Sequence, residues 1–387
     1  MESIFGDISI ETFLNEYWQK KPLLVRNAFP DFQPPIEPDD MAGLSLEEDV
    51  ESRLILEDGP NHKWHLETGP FTESTFENLP EEKWTLLVQA VDQWVPEMAD
   101  LLRHFTFLPS WRLDDIMASF AVKGGSVGPH YDQYDVFLIQ ALGQRHWQIG
   151  PKANEHSSTL DETPLSILAE MEITEEWTVN PGDLLYIPPN YAHNGVALND
   201  CMTFSVGFRA PSHSEILQGF TDFVSSSLSE FDRYSDQDIE NRAIHPALIQ
   251  NSDIDRLKTV LLKELTNEKL GAWLAEQMTE SKYDGLHEPL EDPLEWDEIS
   301  EFIDPDTYLT QNETSRWAYF LEQDTLTLTV NGDYTATYTA NLDIELVTKL
   351  ANQRKTPVKE IMAFLEAGSC QQILLNLINE NFLYFDE

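Results

Sequence analysis

Apolar residues recur at helical spacing near the start of the chain, at Ile10, Phe13, Leu14 and Tyr17, which predicts a helix over residues 10–18. Pro22 separates it from a short strand at 23–26. Residues 36–60 are rich in acid and turn formers. Helical spacing then returns at Leu86, Leu87, Ala90, Val91 and Trp94, predicting a helix over 84–94 that Pro96 ends or kinks before a few more helical turns toward Leu102. From about residue 111 to 210 the texture changes to short apolar or alternating runs punctuated by Gly124-Gly125, Gly128-Pro129, Gly143-Gln144, Gly150-Pro151 and Pro181-Gly182-Asp183, the pattern of a small β-sandwich or jelly-roll barrel. Beyond Pro211 helical stripes take over: Ile216, Leu217, Phe220, Phe223, Val224 and Leu228, then Ile254, Leu257, Leu261, Leu265 and Leu270. After a Pro- and acid-rich stretch, 325–330 and 334–339 alternate around Asn331-Gly332, a dipeptide that favours a type I′ hairpin turn. Helical stretches at 342–353 and 358–365 and an apolar segment through Phe385 complete a winged-helix-like module. The fold class expected is mixed α and β, with a sheet domain over 1–212, a helical region over 213–280 and the winged-helix-like domain over 281–387.

Charge narrows the partners. With 24 basic and 69 acidic residues among 387, the net charge of −45 repels phosphate backbones and anionic membranes and favours a basic protein or peptide, although the same acid also serves solubility. From residue 281 onward there are 21 acidic and 6 basic residues, so nucleic-acid binding by the C-terminal module is electrostatically opposed. Two distant cysteines, Cys201 and Cys370, suggest neither a disulfide framework nor a thiolate metal site. Met1 to Asp7 resembles no signal segment, and no apolar run is long enough to span a bilayer. A cytoplasmic protein without membrane attachment is expected.

The sharpest chemical feature is Gly128-Pro129-His130-Tyr131-Asp132. On a strand, residues two apart share a face, so His130 and Asp132 would project together into a barrel. An HxD alone is weak evidence. It gains force from Pro181 through Pro189 followed by His193: a turn, a four-residue apolar strand, a Pro-Pro stop and a histidine at a strand end. Two histidines and one carboxylate are the facial set that suits non-haem Fe(II) and leaves three positions open.

Together with Phe13 to Pro30, which carries Trp18 and Lys20-Lys21-Pro22-Leu23-Leu24-Val25-Arg26, these motifs resemble the JmjC (cupin-like) oxygenases, specifically the bacterial ribosomal oxygenase group, over essentially the whole chain. The resemblance implies a double-stranded β-helix (jelly-roll) barrel followed by a helical dimerisation region and the winged-helix-like domain. It further implies Fe(II), 2-oxoglutarate and dioxygen, with hydroxylation of an arginine on a large-subunit ribosomal protein by a homodimer. Arg145 fits this on physical grounds. In a strand over 145–149 it shares a face with Trp147 and Ile149, and an inward-facing guanidinium needs an anion, which the remote carboxylate of 2-oxoglutarate supplies. An outward-facing surface ion pair is the plainer alternative.

Other residues are discounted. His62 and His65 flank Trp64 but have no third ligand at strand spacing, and His146 should face away from Arg145. The stripe from Ile216 to Leu228 reads as core or dimer interface. Two rival functions stay open: the same chemistry on lysine or histidine (hydroxylation or demethylation), and a non-catalytic cupin-type scaffold.

Overall fold

The computed structural model describes residues 4–58, 63–161, 163–237, 245–283 and 285–386. Its first element, α1 (Ile10–Glu16), is capped by Ser9, whose hydroxyl accepts from the Thr12 N–H at 3.1 Å. The helix buries Phe13 against Phe5, Tyr186 and Phe137, at ring separations of 4.2, 5.0 and 5.7 Å. There follow β1 (Leu23–Val25), α2 (Pro38–Leu44), β2 (Ser52–Asp58), β3 (Lys63–Thr68), α3 (Glu73–Glu77), β4 (Trp84–Val88) and α4 (Pro96–Ala99). The remaining strands of this part are β5 (Leu113–Ala121), β6 (Val136–Leu142), β7 (Arg145–Lys152), β8 (Glu175–Val179), β9 (Leu184–Ile187), β10 (Tyr191–Ala197) and β11 (Cys201–Phe208).

These strands form an eight-stranded antiparallel sheet, β1-β9-β6-β11-β5-β4-β2-β3, and a three-stranded sheet, β10-β7-β8. Alternation along β6 and β9 shows how they pack. Val136, Leu138, Leu185 and Ile187 join Trp147, Ile149 and Val179 of the small sheet in one core, while Phe137, Ile139, Leu184 and Tyr186 face the opposite way into the aromatic core beneath α1. β6 and β9 are thus buried on both faces, which is why they read as unbroken apolar runs. The result is the double-stranded β-helix that the sequence led us to expect, within a unit spanning Met1–Ala210.

The second unit, Pro211–Glu387, begins with α5 (His213–Ser227), α6 (Asn251–Glu264), α7 (Asn267–Thr279) and α8 (Trp296–Glu301). It continues with β12 (Tyr308–Gln311), β13 (Trp317–Glu322), β14 (Thr325–Val330), β15 (Tyr334–Tyr338), α9 (Asn341–Asn352), β16 (Lys355–Pro357), α10 (Gly368–Asn379) and β17 (Leu383–Asp386). Two small sheets, β16-β12-β17 and β13-β14-β15, pack with α9 and α10 around Leu326, Leu328, Leu346, Leu350, Leu374 and Leu377.

Several elements differ from the sequence reading. Residues 84–94 are not a helix: Trp84–Val88 is strand β4 between β2 and β5, Ala90 takes a left-handed φ of 53°, and only Val91–Gln93 makes a 3₁₀ turn. A strand buried along nearly its whole length presents the same apolar run as a buried helix, so periodicity alone misassigned it. The stripe from Ile254 to Leu270 is two helices, split where Thr266 caps α7 by accepting from the Lys269 N–H. Residues 358–365 hold 3₁₀ turns, and the long helix of that region is α10. The hairpin loop has three residues instead of two, since Val330 pairs with Tyr334; Asn331 and Gly332 do take positive φ. Phe220, on the stripe read as core or dimer interface, is covered within the chain, with Trp273 edge-on at 5.9 Å. The exposed apolar face belongs to α6 instead, through Leu257, Val260, Leu261 and Leu262.

Candidate active site

His130 and Asp132 lie on an irregular extended segment between β5 and β6, not on a regular strand. A single antiparallel bridge secures that segment: the His130 N–H donates to the His193 carbonyl at 3.0 Å and the His193 N–H returns to the His130 carbonyl at 2.8 Å. The Asn190 N–H donates to the Asp132 carbonyl at 2.6 Å. His193 is the third residue of β10, just past a register shift that follows Tyr191, so it belongs to the strand after the Pro-Pro stop.

The three side chains converge. Asp132 Oδ2 stands 4.0 Å from His130 Nε2 and 3.6 Å from His193 Nε2, and one donor atom from each residue lies within 4.8 Å of the others. Each ring is tied through Nδ1 to the carbonyl two residues earlier, His130 to Gly128 at 2.8 Å and His193 to Tyr191 at 2.9 Å. A carbonyl can only accept, so both rings carry their proton on Nδ1 and turn a lone pair on Nε2 toward Asp132. Burial, and then the neighbouring His130, push the His193 ring down to about 4, which favours the neutral form that binds metals. Among the described residues no other cluster of His, Cys, Asp or Glu has this geometry. The donor set fits a divalent transition metal with open positions.

Arg145 is buried at 3 % exposure on the inner face of β7, with Trp147 and Ile149. Its guanidinium lies 5.8 Å from the Trp147 ring, and Nε and Nη2 find no hydrogen-bond partner among the described residues. A buried guanidinium with two idle donors is a costly arrangement unless an anion meets it. On the β7–β10 ladder Arg145 faces Ala197 and Ile149 faces His193, four positions apart, or about 13 Å along the strand. An extended arginine and a short dicarboxylate together fit such a gap. Between them Trp147 lies against Gly195, where a Cβ would come within 2.7 Å of the indole. Trp147 Nε1 is a further buried donor without a partner among the described residues.

His146 does face the other way, toward Glu176 at 3.4 Å. His65 is exposed on β3, while His62 lies outside the described residues. The acidic surroundings of Tyr134 escaped the sequence reading: the residue is 44 % exposed overall, and its phenol is raised by partial desolvation and then by Asp132, Asp115 and Asp114. Adjacent Asp114-Asp115 in a strand carried no signal distinguishing them from ordinary surface acid.

Comparison with known proteins agrees with this architecture. The family profile described as JmjC domain matches residues 100–216, and a ROXA-like winged helix matches 254–384. The fold and the site thus define an oxygenase of the JmjC class. The Escherichia coli (strain K12) ribosomal protein uL16 3-hydroxylase is 42 % identical over 295 residues, covering 74 % of this chain and 76 % of that protein. A probable ribosomal oxygenase of Haemophilus influenzae is 36 % identical over 340 residues, 84 % of this chain and 82 % of that one. The solved structure of the Escherichia coli ribosomal oxygenase YcfD in complex with cobalt and 2-oxoglutarate superposes with a TM-score of 0.85 at 34 % identity, over 98 % of this chain and 99 % of that one. This chain belongs to the JmjC-domain ribosomal oxygenase family.

The buried, neutral His193 generates a pH prediction. An unfolded histidine takes its proton near 6.5, the folded ring only near about 4, so its contribution to stability is complete above 6.5 and is lost as pH falls toward 4. In the metal-free protein the urea midpoint should decline across that window, and His193→Gln should flatten the decline. Superimposable profiles for the two proteins would show that neutral burial of His193 is not its source.

Proposed function

We propose that this oxygenase uses Fe(II), 2-oxoglutarate and dioxygen to hydroxylate an arginine side chain of a large-subunit ribosomal protein, and that it works as a cytoplasmic homodimer. The observation that carries the reading is the convergence of His130, Asp132 and His193 in the same barrel as a buried Arg145 whose donors await an anion. In this reading the three side chains hold the iron, and Arg145 grips the carboxylate of 2-oxoglutarate remote from it. Bound together, iron and 2-oxoglutarate supply the chemistry of dioxygen activation. The protein's own part is geometric: Nδ1 of both rings is anchored, Trp147 closes the space between ligands and guanidinium, and the carboxylates near Tyr134 favour a cationic substrate side chain. The relative named as a uL16 3-hydroxylase supports uL16 as the target, and the complex of YcfD with cobalt and 2-oxoglutarate supports the co-substrate.

The division into an oxygenase domain (1–212), a dimerisation region (213–280) and a winged-helix-like domain (281–387) belongs to the same proposal. Leu261 and Leu262 of α6 are each 65 % exposed, which a second copy would cover. The acidic C-terminal domain is expected to touch protein, or nothing, and not nucleic acid. No helix among the described residues is long and apolar enough to cross a membrane.

Incubation of the purified protein with Fe(II), 2-oxoglutarate and uL16 should add one oxygen to an arginine by mass spectrometry, and His130→Ala or Asp132→Ala should abolish the addition while leaving the fold intact. Oxygen on a lysine or histidine would replace the arginine assignment, and full turnover by either variant would remove those residues from the site. Arg145→Ala should raise the apparent 2-oxoglutarate requirement about thirtyfold or more, the loss expected for a desolvated bidentate contact, and Arg145→Lys should recover part of it. An unchanged requirement would assign the anchor to another residue. Light scattering should give a dimer mass at micromolar concentration and a monomer for Leu261→Glu; a parent monomer would remove the dimer.

A further inference from the structure

One polar relay outside the three ligands ends on the His130 ring. Gln148 and Asn194 stand directly opposite each other on β7 and β10, so their side chains share the face turned away from His193. Asn194 Nδ2 donates to Gln148 Oε1 at 3.1 Å, and Ser126 Oγ donates to Asn194 Oδ1 at 2.9 Å. The Gly128 N–H donates to Ser126 Oγ at 3.0 Å, and the carbonyl of Gly128 accepts His130 Nδ1–H at 2.8 Å.

A backbone N–H can only donate, so Ser126 Oγ accepts from Gly128, and its own proton is free to go to Asn194 Oδ1. That turns the Asn194 amide so that its NH₂ meets Gln148. The relay therefore holds both polar groups of Gly128, a buried residue with φ of 83° where a Cβ would come within 2.9 Å of Ile167. Ser126 is itself fixed at 6 % exposure, its carbonyl accepting from Thr85 Oγ1 at 3.3 Å. Asn194 is also the residue after His193, so the relay joins the turn before the first ligand to the strand that carries the last.

We propose that Ser126, Asn194 and Gln148 are positioning residues of the metal centre, holding Gly128 so that its carbonyl fixes the His130 ring with Nε2 aimed at the metal. This rests on the reading of His130 as a ligand. A merely structural set of hydrogen bonds would change thermal stability; a positioning relay changes metal affinity as well.

The test is Co(II) titration of the full-length protein, followed by its visible absorbance, with melting temperature recorded in parallel. The parent should saturate at one equivalent and His130→Ala should not; if His130→Ala binds like the parent, the ligand reading falls and the relay with it. Once His130→Ala is impaired, Ser126→Ala and Asn194→Leu should each weaken Co(II) binding about tenfold or more, the usual loss when an outer-shell partner is removed. Asn194→Asp still accepts from Ser126 and should bind close to the parent, and the Ser126→Ala/Asn194→Leu pair should be no weaker than the worse single variant, because both break one chain. Parent-like Co(II) affinity in Ser126→Ala and Asn194→Leu would overturn the relay while leaving the ligands in place. Should Ser126→Ala fail to fold, Asn194→Leu and Gln148→Leu, both at half-buried positions, decide the question.

Discussion

The pair of backbone hydrogen bonds between His130 and His193, at 3.0 and 2.8 Å, is the constraint on which the site depends. The segment carrying His130 and Asp132 makes no ladder of its own, so this bridge and the Asn190 N–H on the Asp132 carbonyl set its position relative to β10. Each imidazole is then aimed by a carbonyl only two residues away, a local bond that survives small movements of the surrounding sheet. Packing supports the same point from below. Val136 and Leu138 of the large sheet meet Trp147 and Ile149 of the small sheet, holding the strands that carry Asp132's continuation and Arg145 at a fixed distance.

The far end of the segment that carries His130 and Asp132 is held by a buried carboxylate. Asp135, fully buried, accepts from Tyr186 Oη at 2.7 Å and Gln19 Nε2 at 3.0 Å, and Arg112 Nη2 lies at 3.4 Å. Burial and then Asp135 raise the Tyr186 phenol, which keeps its proton and remains a donor. Through Gln19, and through Trp18 with Arg112 at 5.5 Å from its ring, the end of the first helical segment is tied to the loop that bears Asp132 and Tyr134. A network of this kind is expensive to break because each partner removed leaves another polar group buried and unsatisfied. The N-terminal segment is therefore part of the active-site scaffold, and its aromatic cluster around Phe13 is the apolar half of the same support.

The sequence disclosed those parts of the site and fold that have a short-range signature. The HxD, the turn and Pro-Pro stop before His193, and the alternation that turns Arg145, Trp147 and Ile149 inward can all be read within a few residues. The barrel itself was legible because its strands are short and bounded by Gly and Pro. What was not legible is long-range. Residues 84–88 form a strand only because β2 and β5 lie on either side, and their Leu-Leu-Val run carries no period to say so. The Ser126–Asn194–Gln148 relay joins residues 68 and 46 positions apart, and nothing about a serine in a glycine turn announces its partner. The α6 face could be seen as apolar, but which helix buried its stripe and which left it open depended on Trp273 covering Phe220.

The central claim is that metal ligands and Arg145 serve one site, in which the metal and the diacid are held side by side. Calorimetric titration of 2-oxoglutarate into the protein, with and without Co(II), tests this most directly. The account predicts that Co(II) tightens 2-oxoglutarate binding in the parent, that His130→Ala retains weak binding but loses the metal's effect, and that Arg145→Ala weakens binding under both conditions. A 2-oxoglutarate affinity indifferent to Co(II) in the parent would contradict it, because two ligands held side by side in one site must feel each other.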